Sequence, residues 1–161
     1  VQTCALPICS ISLSTCFDSI VSTVVEVSKV TSSTGVVSIK VNRVAVALDC
    51  GGVVVNPNAV EAQLQGGVAY GLTAALWSQI TWTSGKTDQT NFNKYRMAKN
   101  GDMPVVSTTI VTPPAGFAGP TGGVGEVAVP GVAPAVATAW AKLTGTRIRT
   151  LPMFPGQTMG G

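Results

Sequence analysis

Histidine is absent from this 161-residue chain. Neither a Ser–His nor a Cys–His nucleophile pair can be assembled within it, and no imidazole is available as metal ligand or base. Proton transfer falls to a carboxylate, Lys, Tyr or Cys, or to a cofactor. Seven carboxylates are present: Asp18, Glu26, Asp49, Glu61, Asp88, Asp102 and Glu126. Glu26 falls in a strand pattern, Glu61 at a helix start, and Asp88 and Asp102 by turns. Glu126 differs, because it closes Thr121-Gly122-Gly123-Val124-Gly125, main chain with few side chains, just before an apolar helix pattern. Such a loop can bring a carboxylate against a bulky ligand. Val124, Val127 and Val129 are expected to desolvate it and to raise its pKa toward the general-base range. The alternative is that Glu126 only complements the N-terminus of the helix that follows.

A second candidate face lies on a helix pattern. Gln63, Gly66, Gly67 and Tyr70 fall on one side by their three- and four-residue spacing. Each of Gly66, Gly67 and Gly71 costs about 1 kcal/mol relative to Ala in a helix interior. The usual reason to keep such residues is close approach of a ligand or of another backbone. An amide beside bare main chain suits a flat polar ligand, while helix packing through small residues explains the same spacing. The cysteines, Cys4, Cys9, Cys16 and Cys50, form no complete ligand pattern. Cys4 and Cys9 open like a plant-type iron–sulfur loop, but the third cysteine is not two residues on. Buried or free thiols are expected, without a disulfide framework.

The elements that must position these residues are legible in part. Val21, Thr23, Val25 and Val27 alternate with Ser22, Val24, Glu26 and Ser28, and a β-branched run follows from Val36 to Leu48; together they predict a hairpin ending at Asp49-Cys50-Gly51-Gly52. Asn56 before Pro57 fits a helix N-cap, and Asn58 with Glu61 fits a capping box. Val60, Leu64, Val68, Leu72, Leu76 and Ile80 make one apolar stripe. Short strands are expected near Ile80–Thr83 and Lys86–Thr90, with Asn91–Asn100 irregular and Val105–Val111 extended. Residues 112–131 read as a Pro/Gly loop, Ala133–Leu143 as a helix stopped by Gly145, and Arg147–Arg149 as a final strand whose arginines form a solvated edge. Residues 1–15 show no clear period, and 156–161 read as a flexible tail. The fold class is α+β, a mixed sheet with two main helices, occupying about residues 16–155.

Composition narrows the function. Hydrophobic residues make up 45% and charged residues 11%, with a net charge of +3. So little charge excludes a disordered tail and gives no basis for a nucleic-acid grip. It also leaves too few charged side chains to cover a surface, so much of the surface is expected to face other protein. No apolar run is long enough to predict a transmembrane segment. The chain starts at Val1 and reads as a piece of something larger.

The strings VNRVAVALDCGGVVVNPNAVEAQLQGGVAYGLTAALWSQIT, QTNFNKYRMAKNGDMP, GGVGE and APAVATAWAKLTGTRIRTLP occur in one order. This series resembles the C-terminal part of the molybdopterin-binding large subunit of the xanthine oxidase family, in particular isoquinoline 1-oxidoreductase β-subunits and related aldehyde dehydrogenases. The likeness spans about residues 19–155; residues 1–15 match nothing in it, and Val127 stands where the family commonly has proline. The resemblance implies that Glu126 is the general base beside molybdenum, taking a proton from a metal-bound hydroxyl during oxidation of an N-heterocycle or aldehyde with water-derived oxygen. It implies pterin contacts at Gln63 and Gly66, extended here to Gly67 and Gly125, and no protein ligand to the metal. It further implies a molybdenum–molybdopterin cofactor, with the cytosine dinucleotide form as one alternative, the remainder of the large subunit, and a [2Fe–2S] small subunit or cytochrome as redox partner. On this reading the isolated piece neither holds the cofactor nor turns over. The competing readings are a structural or interaction module derived from that domain, and a small-ligand binder without chemistry.

Overall fold

The computed structural model describes residues 7–31, 35 and 37–155. Strands β1 (Ile8–Cys16), β2 (Ser19–Thr31) and β3 (Val37–Asp49) are followed by helix α1 (Pro57–Leu76). Two short strands, β4 (Trp82–Thr83) and β5 (Lys86–Thr87), then lead through 3₁₀ turns to β6 (Val105–Ile110) and helix α2 (Val129–Thr144). The main sheet has the order β1-β2-β3-β6, antiparallel except for the parallel β3–β6 pair. The α+β expectation of a mixed sheet with two helices holds.

The alternation in β2 is the inner face of this sheet. Val21, Thr23, Val25 and Val27 are buried, and opposite them stand Leu48, Val46, Val44 and Val41 of β3. The register shifts between Glu26, which faces Arg43, and Val27, which faces Val41. Asn42 is thus the extra residue of a bulge, which keeps Val41 turned inward. Asn42 also accepts a hydrogen bond from Ser28 Oγ at 3.3 Å.

Residues 8–15 are part of the sheet, although the sequence shows no clear period there. β1 pairs with β2 from Ile8↔Val27 to Cys16↔Ser19. The period exists with its polarity inverted: Ser10, Ser12 and Ser14 turn inward while Ile11 and Leu13 are exposed. Small residues fit there because α2 comes close; Ser12 Oγ donates to the Gly131 carbonyl at 2.6 Å, while the buried Ser14 Oγ finds no partner among the described residues. Residues 1–6 and 156–161 lie outside the described residues, as do 32–34 and 36 in the β2–β3 connection, so the start of the expected run at Val36 falls there.

Helix α1 starts where Asn56 and Pro57 predict. Asn56 Oδ1 accepts from the Ala59 N–H at 3.1 Å, with Pro57 in the first turn. Val60, Leu64, Val68, Leu72 and Leu76 form its buried stripe. Ile80 does not continue it, because the helix ends at Leu76 and Ile80 is exposed. Met153 and Phe154 donate backbone N–H groups to the Ala75 and Leu76 carbonyls, satisfying acceptors that a helix end leaves open.

Helix α2 begins four residues before the expected Ala133. Pro130 sits in its first turn, where a missing N–H costs nothing, so the Pro/Gly composition that suggests a loop here is compatible with helix. Gly145, at φ +77°, ends the helix as anticipated. One strand expectation is met only in part and another fails. β5 stops at Thr87, and Arg147–Arg149 forms no strand; both arginines are exposed beside the C-terminal half of α2. No helix among the described residues is long and apolar enough to cross a membrane.

Candidate functional site

The two helices pack against each other on the inner face of the sheet, and their seam decides where Gln63 and Glu126 lie. Gly71 is buried at this seam, and a Cβ there would sit 2.8 Å from Val132 Cγ2 and 2.9 Å from the Val129 carbonyl oxygen. At Gly67 the added Cβ would be 3.0 Å from the Ala128 Cβ. Helix packing therefore accounts for both. It does not account for Gly66, which is exposed and would find nothing within 4 Å of an added Cβ.

Close approach at the seam brings the loop before α2 alongside α1. Ala62, Gln63, Gly66, Gly67 and Tyr70 of α1, with Gly125, Glu126 and Val129, line one groove of about 460 Å³. Gln63 and Gly125 meet across it, since a Cβ on Gly125 would lie 3.7 Å from Gln63 Oε1. The carboxylate, the amide and the bare main chain singled out by sequence thus share one surface. Gly67 belongs to it as the residue that lets the second wall approach.

Glu126 is not enclosed as its valine neighbours suggest. Val127 turns fully into the core, Val124 and Val129 are half-buried, and Glu126 itself is exposed. The alternative role as a helix cap is not realised by hydrogen bonding, because Ala128 is the N-cap of α2 and no side chain caps it. The Glu126 backbone carbonyl accepts from the Val129 N–H at 3.0 Å. Among the described residues no side chain pairs with its carboxylate.

The loop carrying Glu126 is held from below. Gly122 N–H donates to the Cys50 carbonyl at 2.8 Å, and Gly123 N–H to the Phe17 carbonyl at 2.7 Å. Ser19 Oγ donates to the Gly123 carbonyl at 2.7 Å. Sequence reasoning missed these supports because β1 and its turn were not legible. The positions Phe17-Asp18, between two paired strands, would have been the signal once β1 was recognised.

Along α1 the surface continues into a second groove of about 300 Å³, reached past Gly66 and Tyr70 and lined by Thr73, Ser78, Tyr95, Met97 and Ala98. Its outer wall is fixed by Arg96, which stacks 4.1 Å over the Trp77 ring, pairs with Asp102 at 2.7 Å and donates to the Met97 carbonyl. Ala98 N–H donates to Thr73 Oγ1 at 3.1 Å. Away from both grooves, hydrogen bonds from Thr81 and Thr83 hold the Asp88 carboxyl below its ordinary range. Cys9, Cys16 and Cys50 are free thiols, and Cys4 lies outside the described residues. Among the described residues no group of three or more His, Cys, Asp or Glu could hold a metal ion.

Comparison with known proteins gives this groove a context. Residues 15–104 match the model of the molybdopterin cofactor-binding domain, a span that contains Gln63 and Gly66 and stops before Glu126. The chain is 33% identical over 118 residues to the isoquinoline 1-oxidoreductase subunit beta of Brevundimonas diminuta, covering 73% of this chain and 14% of that protein. Among solved structures, quinoline 2-oxidoreductase from Pseudomonas putida 86 superposes with a TM-score of 0.66 at 25% identity, over 84% of this chain and 18% of that one. CO dehydrogenase from Oligotropha carboxidovorans superposes with a TM-score of 0.69 at 21% identity, over 86% of this chain and 17% of that one, and shows the shared fold. The chain therefore spans less than a fifth of the length of these relatives. With most of its length matched and the fold shared, the chain belongs to the molybdopterin cofactor-binding domain family of xanthine oxidase-type large subunits.

Proposed function

We propose that this chain forms one wall of the cofactor site in a molybdenum hydroxylase that oxidises an N-heterocycle or aldehyde with water-derived oxygen, and that Glu126 is its general base. The observation that carries the reading is the shared groove, in which Gln63 and Gly66 of α1 face Gly125 and Glu126 of the loop. The residues suit a pterin. Gly66 is a helix-interior glycine with open space where its Cβ would be, so nothing among the described residues requires it, whereas a ring lying on the helix would. The Gln63 amide offers an acceptor and two donors to the edge of such a ring. When bound, the cofactor would supply the two-electron chemistry of the oxidation. The chain's own part is to orient the ring through Gln63, to let it approach bare main chain at Gly66 and Gly125, and to accept a proton at the Glu126 carboxylate. The cytosine dinucleotide form of the cofactor and a [2Fe–2S] small subunit or cytochrome as electron acceptor belong to the same proposal.

Retention of both Glu126 and Gln63 on one surface favours this reading over a non-catalytic module. In the loaded enzyme, Glu126→Gln should lower turnover by about 10²–10⁴-fold at unchanged molybdenum content, as loss of a general base does. Turnover kept within tenfold would overturn the assignment. Because Gln63 and Glu126 are exposed on an open groove, the 161-residue chain alone should retain no molybdenum. Metal analysis of the purified chain checks this, and stoichiometric molybdenum would contradict it.

A further inference from the structure

We infer that the turn between β1 and β2 is a positioning clamp for the loop that carries Glu126, and that Ser19 is its central residue. The inference rests on the reading of Glu126 as base. Phe17 and Asp18 form a two-residue turn with φ of +52° and +61°. Asn-Gly is the usual choice for such a turn, and a bulky residue at positive φ is an outlier that persists only where its surroundings fix it. Here the turn aims the Phe17 carbonyl at the Gly123 N–H, 2.7 Å away.

Ser19 completes the grip. It is 1% exposed, and its Oγ donates to the Gly123 carbonyl at 2.7 Å. Gly123 is thus held at both its N–H and its C=O, three residues before Glu126. The glycine pair is a requirement of the clamp. A Cβ on Gly122 would fall 2.5 Å from Ser19 Oγ and 2.6 Å from the Asp18 carbonyl, and one on Gly123 would fall 2.7 Å from Phe17 Cβ. On the far side of Glu126, Val127 is fully buried. The carboxylate therefore stands on a short span between two anchors, Gly123 and Val127, within which Val124 packs against the core and Gly125 is exposed. Ser19 and the Phe17 carbonyl act through the loop and touch neither cofactor nor substrate.

Hydrogen exchange of the 161-residue chain tests the clamp without any cofactor. Ser19→Ala should speed exchange of the Gly123 amide, whose N–H is bonded to the Phe17 carbonyl, about tenfold while protection in the β2–β3 hairpin is unchanged. Gly123→Ala, which displaces the loop and leaves the hydroxyl in place, should give the same local signature. In the loaded enzyme, Ser19→Ala should lower kcat about tenfold with KM and molybdenum content unchanged. Unchanged loop exchange in both variants overturns the clamp, and so does loss of protection spread evenly over the sheet. A loosened loop with unchanged kcat overturns the positioning role if Glu126→Gln is inactive. If Glu126→Gln is itself active, the base assignment is what fails, and the clamp stands on the exchange result.

Discussion

Two glycine-bearing stretches face each other across the groove, and they divide their labour in the same way. On α1, Gly67 and Gly71 are locked by packing against Ala128, Val129 and Val132, while Gly66 is bare toward open space. In the loop, Gly122 and Gly123 are locked against Asp18, Ser19 and Phe17, while Gly125 faces only Gln63 Oε1. Each stretch therefore spends most of its glycines on bringing backbone together and one on leaving room at the groove. A glycine motif mixes these two demands in one string, and only the neighbours of the missing Cβ separate them. The packing glycines should resist substitution in the absence of any ligand, and the groove glycines should not.

Gly71→Ala should give the largest change in stability. The new methyl meets Val132 at 2.8 Å and the backbone carbonyl of Val129 at 2.9 Å, so α2 itself must move. Overpacking of this kind costs about 1–3 kcal/mol, against a gain of up to about 1 kcal/mol from replacing a helix-interior glycine. A net loss of up to about 2 kcal/mol should lower Tm by several degrees, at about 2–4 °C per kcal/mol for a chain of this size. Thermal unfolding followed by circular dichroism reads this directly. A rise in Tm would mean that the seam can open without cost, and the division of glycines into two kinds would lose its packing half.

What the sequence disclosed about these regions follows the range of the forces involved. The β2–β3 hairpin and the α1 stripe were legible because Val21 to Val27 and Val60 to Leu76 repeat with the period of the element that buries them. The N-cap at Asn56 and the stop at Gly145 were legible because both are local chemistry. β1 was not, since its inward face is serine, a choice dictated by the approach of α2 from the far end of the chain. The start of α2 was hidden by Pro130 and Gly131, of which the glycine answers Thr23 and Ser12 on the sheet. The residues that line the groove could be singled out as candidates from spacing and resemblance. The exposure of Glu126 could not, because whether Val127 turns toward Glu126 or into the core depends on the packed seam.

Gly66→Ala should have the opposite sign to Gly71→Ala. With nothing within 4 Å of the new methyl, the helix gains about 0.5–1 kcal/mol from lower backbone entropy in the unfolded chain. Tm of the chain should therefore rise by a few degrees, while the loaded enzyme should contain less molybdenum than wild type. Higher stability with reduced loading is a pairing that packing cannot produce, so it separates a groove glycine from a seam glycine in one variant. Unaltered loading would place the bound ring elsewhere on α1.

The smallest stability effect is expected at Gly125, which makes it the sharpest test of the loop's half of the comparison. Its added Cβ would stand 3.7 Å from Gln63 Oε1, an ordinary contact, and its φ is not in the left-handed region. Gly125→Ala should leave stability within about half a kcal/mol of wild type, as surface substitutions away from packing features do, a change in Tm of no more than about 2 °C. The methyl would nevertheless occupy the strip between the Gln63 amide and the Glu126 carboxylate, where a ring held by Gln63 must lie if Glu126 is to reach the reacting atoms. Loading or kcat should fall although the folded chain is undisturbed. If both are kept, the ring does not pass between these residues, and their meeting across the groove reflects only the packing that Gly67 and Gly71 impose.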